Sequence, residues 1–160
     1  MTREQFISYV KGTQKGFRRF LIALCCGNSS LADDIAQESY LKAYLSSESF
    51  RNTDKFKAWI YKIGYHSFLN HRRSQRPLLS VEYAKDVAAG TRSDDTFKYQ
   101  ELYQALNLIP AAERVTVLLF YMENYSIREI SELQEISQDA VKQRLSRGRF
   151  HLRGLLTAKK

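Results

Sequence analysis

The chain has 160 residues, a formal net charge of +8, 44% hydrophobic residues and 26% charged residues. That apolar content suits one compact domain or two small ones and excludes a disordered tail. The basic balance points to an acidic partner, nucleic acid before anionic membrane. No apolar run nears the roughly 18 residues that would cross a bilayer, so no membrane insertion is expected.

The opening stretch MTREQFISYVKG is amphipathic and carries Glu4, unlike a signal peptide, and a cytoplasmic location is expected. Apolar residues recur at three- and four-residue spacing, without sustained alternation or an Asn-Gly hairpin turn, which predicts an all-α chain. The first helix is expected over Arg3–Cys26, with Gly27-Asn28-Ser29 ending it. Cys25 and Cys26 are adjacent and have no second cluster to join. They read as two small buried residues. Ser30 stands three residues before Asp33, in capping-box-like spacing, and predicts the start of a second helix. A loop at Glu48–Asn52 follows. Asn52 or Thr53 is placed to cap a third helix reaching Ser74.

Residues 76–96 hold Pro77, Gly90 and several Ser, Thr and Asp residues, and read as a flexible linker. Phe97–Leu108 is helical again, Pro110 suits the first turn of the next helix, and that helix should end near Glu123-Asn124. Ser126 then opens two short helices around a tight turn. The expected organisation is two small helical domains, 1–75 and 97–160, joined by the linker 76–96.

The last helix, Gln138–Leu155, carries Val141, Leu145, Gly148, Leu152 and Leu155 on one inward stripe. Gln138, Lys142, Gln143, Ser146, Arg147 and Arg149 stand on its other faces. Arg, Gln and Lys reach base edges, and Lys, Arg and Ser bind phosphates. With Ile127, Ile130 and Leu133 closing against Ile136 and Val141, the pair has the outline of a helix-turn-helix whose second helix enters a DNA groove.

In the second helix, Asp34, Gln37 and Glu38 share one face, while Leu31, Ile35, Leu41 and Leu45 are read on another. An acidic-polar patch on a basic protein suggests a protein partner. The third helix mixes Tyr61, Lys62, Tyr65, His66, Phe68, His71, Arg72, Arg73 and Arg76, the cation-plus-aromatic chemistry that single-stranded nucleic acid needs. Phe56, Trp59, Ile60 and Ile63 read as core. Tyr61, Tyr65 and Phe68 also form an i, i+4, i+7 stripe, so stacking and packing are equally open for them.

The segment LNLIPAAERVTVLLFYMENYSIREISELQEISQDAVKQRLSRGRFHLRGLL resembles region 4 of bacterial sigma factors. Upstream, SSLADDIAQESYLKAYLSSESFRN followed by KFKAWIYKIGYHSFLNHRRSQR resembles region 2 of the extracytoplasmic-function (ECF) sigma factors. Together they cover nearly the whole chain. The resemblance implies a sigma factor that binds core RNA polymerase and promoter DNA, with no catalytic step. Asp34, Gln37 and Glu38 would meet the clamp helices of the largest polymerase subunit, and the flap would be a further contact. Lys62, Tyr65, His66, Arg72, Arg73 and Arg76 would hold the melted −10 element. Gln138, Lys142, Gln143, Ser146, Arg147 and Arg149 would read the −35 element. An anti-sigma factor is implied as a further partner.

The chain departs from the family at Ser131, where Ala is common, at Glu135, where the turn often has Gly or Asn, and at His66, where Asn is common. A left-handed Glu135 would cost about 1 kcal/mol. A linker of about 20 residues reaches roughly 25 Å as a coil and about 65 Å extended. A promoter spacer of about 17 base pairs is roughly 58 Å, so an extended linker bridges both elements. The competing readings are a stand-alone helix-turn-helix regulator, for which no dimerisation helix or effector domain is evident, and an enzyme. Against the enzyme, His66 and His71 do not share a helix face, and no triad-like set or Gly-rich phosphate loop appears. No metal or cofactor is expected.

Overall fold

The structure, a computed structural model, describes residues 1–50, 55–89 and 99–157, with side chains for all of these except 74–89. Its helices in chain order are α1 (Arg3–Leu24), α2 (Ser29–Leu45), α3 (Phe56–Ala89), α4 (Gln100–Leu108), α5 (Ala111–Tyr121), α6 (Ile127–Gln134) and α7 (Gln138–Thr157). No strand occurs among the described residues, so the all-α expectation holds.

Local chemistry sets the helix ends. Thr2 and Gln5 form a reciprocal capping box at the start of α1: Thr2 Oγ1 accepts from the Gln5 amide at 3.1 Å, and Gln5 Oε1 accepts from the Thr2 amide at 2.9 Å. Cys26 and Gly27, at φ 56° and 93°, close that helix in the left-handed region. This places Asn28 at the last extended position before α2, and its Oδ1 accepts from the Leu31 amide at 3.0 Å. Asn28 is therefore the cap and Ser30, the expected one, already lies inside the helix.

The third helix also departs from expectation. It continues through Pro77 to Ala89 instead of ending near Ser74, so residues 76–89 of the expected linker are helical. Leu78, Leu79, Ala84, Ala88 and Ala89 are strong helix formers, and the first glycine after Pro77 comes only at residue 90. Residues 90–96 of the expected linker, and the Asn52 and Thr53 cap candidates, lie outside the described residues.

Two bundles follow, as the sequence indicates. In the first, α1, α2 and α3 enclose Phe17, Phe20, Leu21, Ile35, Ile60 and Tyr61, all fully buried. A Cβ on Gly64 would lie 2.6 Å from Phe17 Cζ, so a larger residue there would push the Phe17 ring out of its place. Cys25 and Cys26 are fully buried at the end of α1, in keeping with two small core residues, and burial pushes the Cys25 thiol pKa up. In the second bundle Val115, Leu119, Ile130, Val141 and Leu145 are buried. Gly148 lets α7 settle onto α5, since an added Cβ would meet Val117 Cγ2 at 2.6 Å.

The bundles touch. Arg114 of α5, only 2% exposed, donates from Nη1 to the Leu24 carbonyl at the end of α1 at 2.9 Å. Its Nε donates to the Leu106 carbonyl at 2.9 Å and its Nη2 to that of Ile109 at 3.5 Å. Nearby, Tyr61 meets Tyr125 edge to face, ring centres 5.9 Å apart.

Candidate nucleic-acid and polymerase interfaces

Three surfaces carry the chemistry the sequence singled out. The first is built on α6 and α7. Ser126 and Glu129 form a second capping box, at 3.1 and 2.9 Å, that starts α6. Glu135 then turns the chain at φ 59°, ψ 45°, in the left-handed region. Ser131 braces that turn: its hydroxyl donates to the Ile136 carbonyl at 2.6 Å, and its own carbonyl accepts from the Ile136 amide at 3.1 Å. The Ser131 hydroxyl thus closes a turn that glycine or asparagine would enter more easily than Glu135. Ser137 caps α7, accepting from the Ala140 amide at 3.1 Å.

With Val141, Leu145 and Gly148 buried, α7 leaves Gln138, Lys142, Gln143, Ser146, Arg147 and Arg149 exposed. Of these, Gln143 and Ser146 stand farthest from the buried stripe, at about 100° per residue. Arg149 turns aside, its Nη1 donating to the Tyr121 hydroxyl at 3.0 Å. Phe150 went unread in the sequence. It is 74% exposed on α7, between the directions of Gln143 and Ser146, where an apolar ring suits the methyl of a thymine. Its signal was an aromatic residue off the inward stripe.

The second surface is α3. Tyr65, expected among the −10 contacts, is a correction: it is 8% exposed, and Tyr61 and Phe68 are buried with it. The i, i+4, i+7 stripe is packing, since that spacing sets all three rings on the buried side of α3. Lys62 and His66 remain at the surface. Lys62 Nζ pairs with Glu135 Oε1 at 3.0 Å, and His66 Nε2 lies 4.0 Å from the same oxygen. Lys62 holds the Glu135 carboxyl below the usual carboxylate range. Arg73 is exposed and Arg72 half-buried, while the Arg76 side chain lies outside the described residues.

The aromatic surface that is accessible lies elsewhere. Phe50 stacks on Trp59 at 4.1 Å and 4°. Together they line a cleft of about 620 Å³ with Lys55, Lys57, Lys62 and Arg128. Phe56 and Ile60 are core as expected, but Trp59 and Ile63 are half-buried.

The third surface is α2. Asp34 and Gln37 are exposed. Glu38 accepts from His71 Nε2 at 2.9 Å and from Lys42 Nζ at 2.9 Å. The Lys42 hydrogen bond, with His71 behind it, holds its carboxyl below the usual range. Glu38 is a brace from α2 to α3. Leu41 and Leu45, read with Ile35 on another face from Asp34, are 60% and 73% exposed. At seven and eleven residues from Asp34 they return to its side of the helix. The patch is therefore polar at one end and apolar at the other.

A groove of about 780 Å³ also runs between the bundles, floored by Leu102, Tyr121 and Met122 and edged by Arg18, Arg19 and Arg153. Among the described residues there is no cluster of His, Cys, Asp and Glu that would hold a metal ion, and no helix long and apolar enough to cross a membrane.

Comparison with known proteins gives these surfaces a common setting. Residues 10–77 match the Sigma-70 region 2 family and residues 99–152 match Sigma-70, region 4. The ECF RNA polymerase sigma factor SigW of Bacillus subtilis is 32% identical over 142 residues, covering 79% of this chain and 76% of that protein. The RNA polymerase sigma factor SigV of the same organism is 30% identical over 130 residues, covering 81% and 78%. The fold is similar to that of the sigma factor RpoE bound to the anti-sigma factor NepR from Bartonella quintana, with TM-score 0.77, 22% identity, and 97% and 98% of the two chains covered. It is similar also to CnrH in complex with the cytosolic domain of CnrY, with TM-score 0.74, 20% identity, and 99% and 92% covered. The chain belongs to the ECF family of RNA polymerase sigma factors, which direct promoter-specific transcription initiation and are not enzymes.

Proposed function

We propose that residues 1–75 hold core polymerase and the −10 element, and that residues 97–160 hold the −35 element. The observation that carries this reading is α7. Its apolar stripe is spent on α5 and α6, while Gln138, Lys142, Gln143, Ser146 and Arg147 stand exposed in a row of base- and phosphate-binding types. Arg149 joins them by releasing Tyr121. On α3, Lys62, Arg72, Arg73 and Arg76 supply cations to the melted strand, and His66 a ring nitrogen for hydrogen bonding. The stacked Phe50–Trp59 pair supplies the aromatic face that Tyr65 does not.

The clamp helices of the largest polymerase subunit dock on α2 through Asp34 and Gln37, with Leu41 and Leu45 burying apolar area beside them. The basic-edged groove between the bundles fits an acidic amphipathic helix of an anti-sigma partner. The protein works in the cytoplasm, where polymerase and promoter are.

Retention of tagged core polymerase, followed by run-off transcription from a genomic promoter library, tests the reading. Wild type should be retained and should start transcripts at discrete promoters. Gln37→Ala with Leu41→Ala should lose most retention while binding −35-type duplex as before. Wild-type protein that binds duplex DNA but is not retained by core polymerase overturns the assignment.

A further inference from the structure

The two surfaces proposed to grip DNA face each other. Glu135 sits at the tip of the turn in the helix-turn-helix, two residues before the cap of α7. Its carboxylate lies 3.0 Å from Lys62 Nζ and 4.0 Å from His66 Nε2, both on α3. Five residues earlier on α3, Lys57 Nζ pairs with Glu123 Oε2 at 3.4 Å, which again joins a cation of the first bundle to a carboxylate of the second. Along this seam each described cross-bundle ion pair runs the same way: the first bundle gives the cation and the second the carboxylate. A backbone phosphate would offer Lys62 and His66 the same anionic oxygen chemistry.

Glu135 is also an uneconomical choice for the turn alone. Its φ of 59° favours glycine or asparagine, and neither carries a charge to Lys62.

We propose that Glu135 is an intramolecular stand-in for phosphate, one that latches the helix-turn-helix onto α3 and masks the −10 surface until DNA and polymerase displace it. This rests on the reading that Lys62 and His66 contact the −10 strand. A phosphate on Lys62 would stand beside the Glu135 carboxylate, and the repulsion between the two anions sets them in competition for that cation. A turn 3.0 Å from Lys62 also cannot accompany two grips on DNA elements roughly 58 Å apart. Engagement therefore requires opening, and the free chain keeps its own DNA affinity low.

The test uses the full chain. Binding of a short fluorescein-labelled AT-rich single strand is followed by anisotropy, and the radius of gyration by small-angle scattering. Glu135→Gln keeps the side-chain shape but removes the charge. It should bind the strand about two- to threefold more tightly, the scale of one exposed ion pair, and should scatter as a more expanded particle. Glu4→Gln, the same charge change on the exposed first turn of α1, should match wild type and so exclude a net-charge effect. Lys62→Ala should weaken binding more in the Glu135→Gln background than in wild type, because in wild type Lys62 is already engaged.

Glu135→Gln behaving as wild type in both measurements, with Lys62→Ala still weakening the strand, overturns the latch and leaves the −10 reading standing. Lys62→Ala without effect in either background removes Lys62 from the −10 contacts, and the masking proposal falls with it.

Discussion

Side-chain chemistry around the turn shows how one residue offsets another. Glu135 occupies a left-handed conformation at about 1 kcal/mol, and Ser131 answers with a hydroxyl bond across the turn to the Ile136 carbonyl. Ser131→Ala restores the residue common in the family, yet here it should destabilise the protein by about 1 kcal/mol. A lower urea midpoint with an unchanged slope would show this, and an unshifted midpoint would remove the hydroxyl from the account. On α7, Arg147 is exposed and points away from the core. Arg147→Ala should lower the salt slope of duplex binding by about one unit and weaken all sequences alike if the guanidinium neutralises a phosphate. Loss confined to one base position would mark it as a base reader instead. The exposed face of α7 was legible in the sequence because a single periodicity divides it. Tyr65 was not, since rings four residues apart suit a stacking platform and a core equally well. The place of Leu41 and Leu45 was hidden for a related reason: their apolar character suggests a face apart from Asp34, but their spacing of seven and eleven residues returns them to its side.

Helices α2 and α3 are tied by Glu38, which bridges Lys42 on its own helix and His71 on the next. The carboxyl pKa is lowered in the folded chain. Its contribution is therefore present above the unfolded carboxylate value and fades as pH falls through the lower folded value. Wild type should exceed Glu38→Gln in urea midpoint near pH 6, and the gap should close as pH falls below the ordinary glutamate value of about 4.3. A gap that persists to the acid end would show that the ion pair is not its source. Most element limits were readable from caps and glycines. Pro110 starts α5 and Ser126 starts α6, as their chemistry requires. The end of α3 was not readable, because a proline and polar composition suggested a break where leucines and alanines carry the helix on to Ala89. Asn28 displaced Ser30 as a cap for a purely local reason: the left-handed Gly27 decides which residue is the last one outside the helix.

The two bundles appear in the sequence as separate units, and what joins them does not. Glu135 and Lys62 pair across 73 positions of chain (135 − 62), and the Arg114–Leu24 bond spans 90. Such partners leave no periodicity to read. Arg114 is the buried tie, a guanidinium that meets backbone carbonyls at the ends of α1 and α4 and crosses from one bundle to the other. A cation at the C-terminal ends of two helices also meets the negative ends of their dipoles. Its planar fork reaches three acceptors, which a lysine ammonium on a single stem cannot do. Arg114→Met would keep much of the side-chain volume while removing the guanidinium donors, leaving the Leu24 carbonyl with only the weak Cys26 thiol at 3.8 Å and the Leu106 carbonyl with only the Ile109 amide at 3.4 Å. The expected cost is about 2–4 kcal/mol, given what a charged hydrogen bond contributes and what a poorly satisfied buried acceptor costs. It should fall on the coupling between the bundles as well as on total stability. In scanning calorimetry wild type should unfold in one transition. Arg114→Met should show two, one for each bundle, with Arg114→Lys between them. A single transition in Arg114→Met at the wild-type Tm would mean that the apolar contact around Tyr61 and Tyr125 holds the closed form without the arginine.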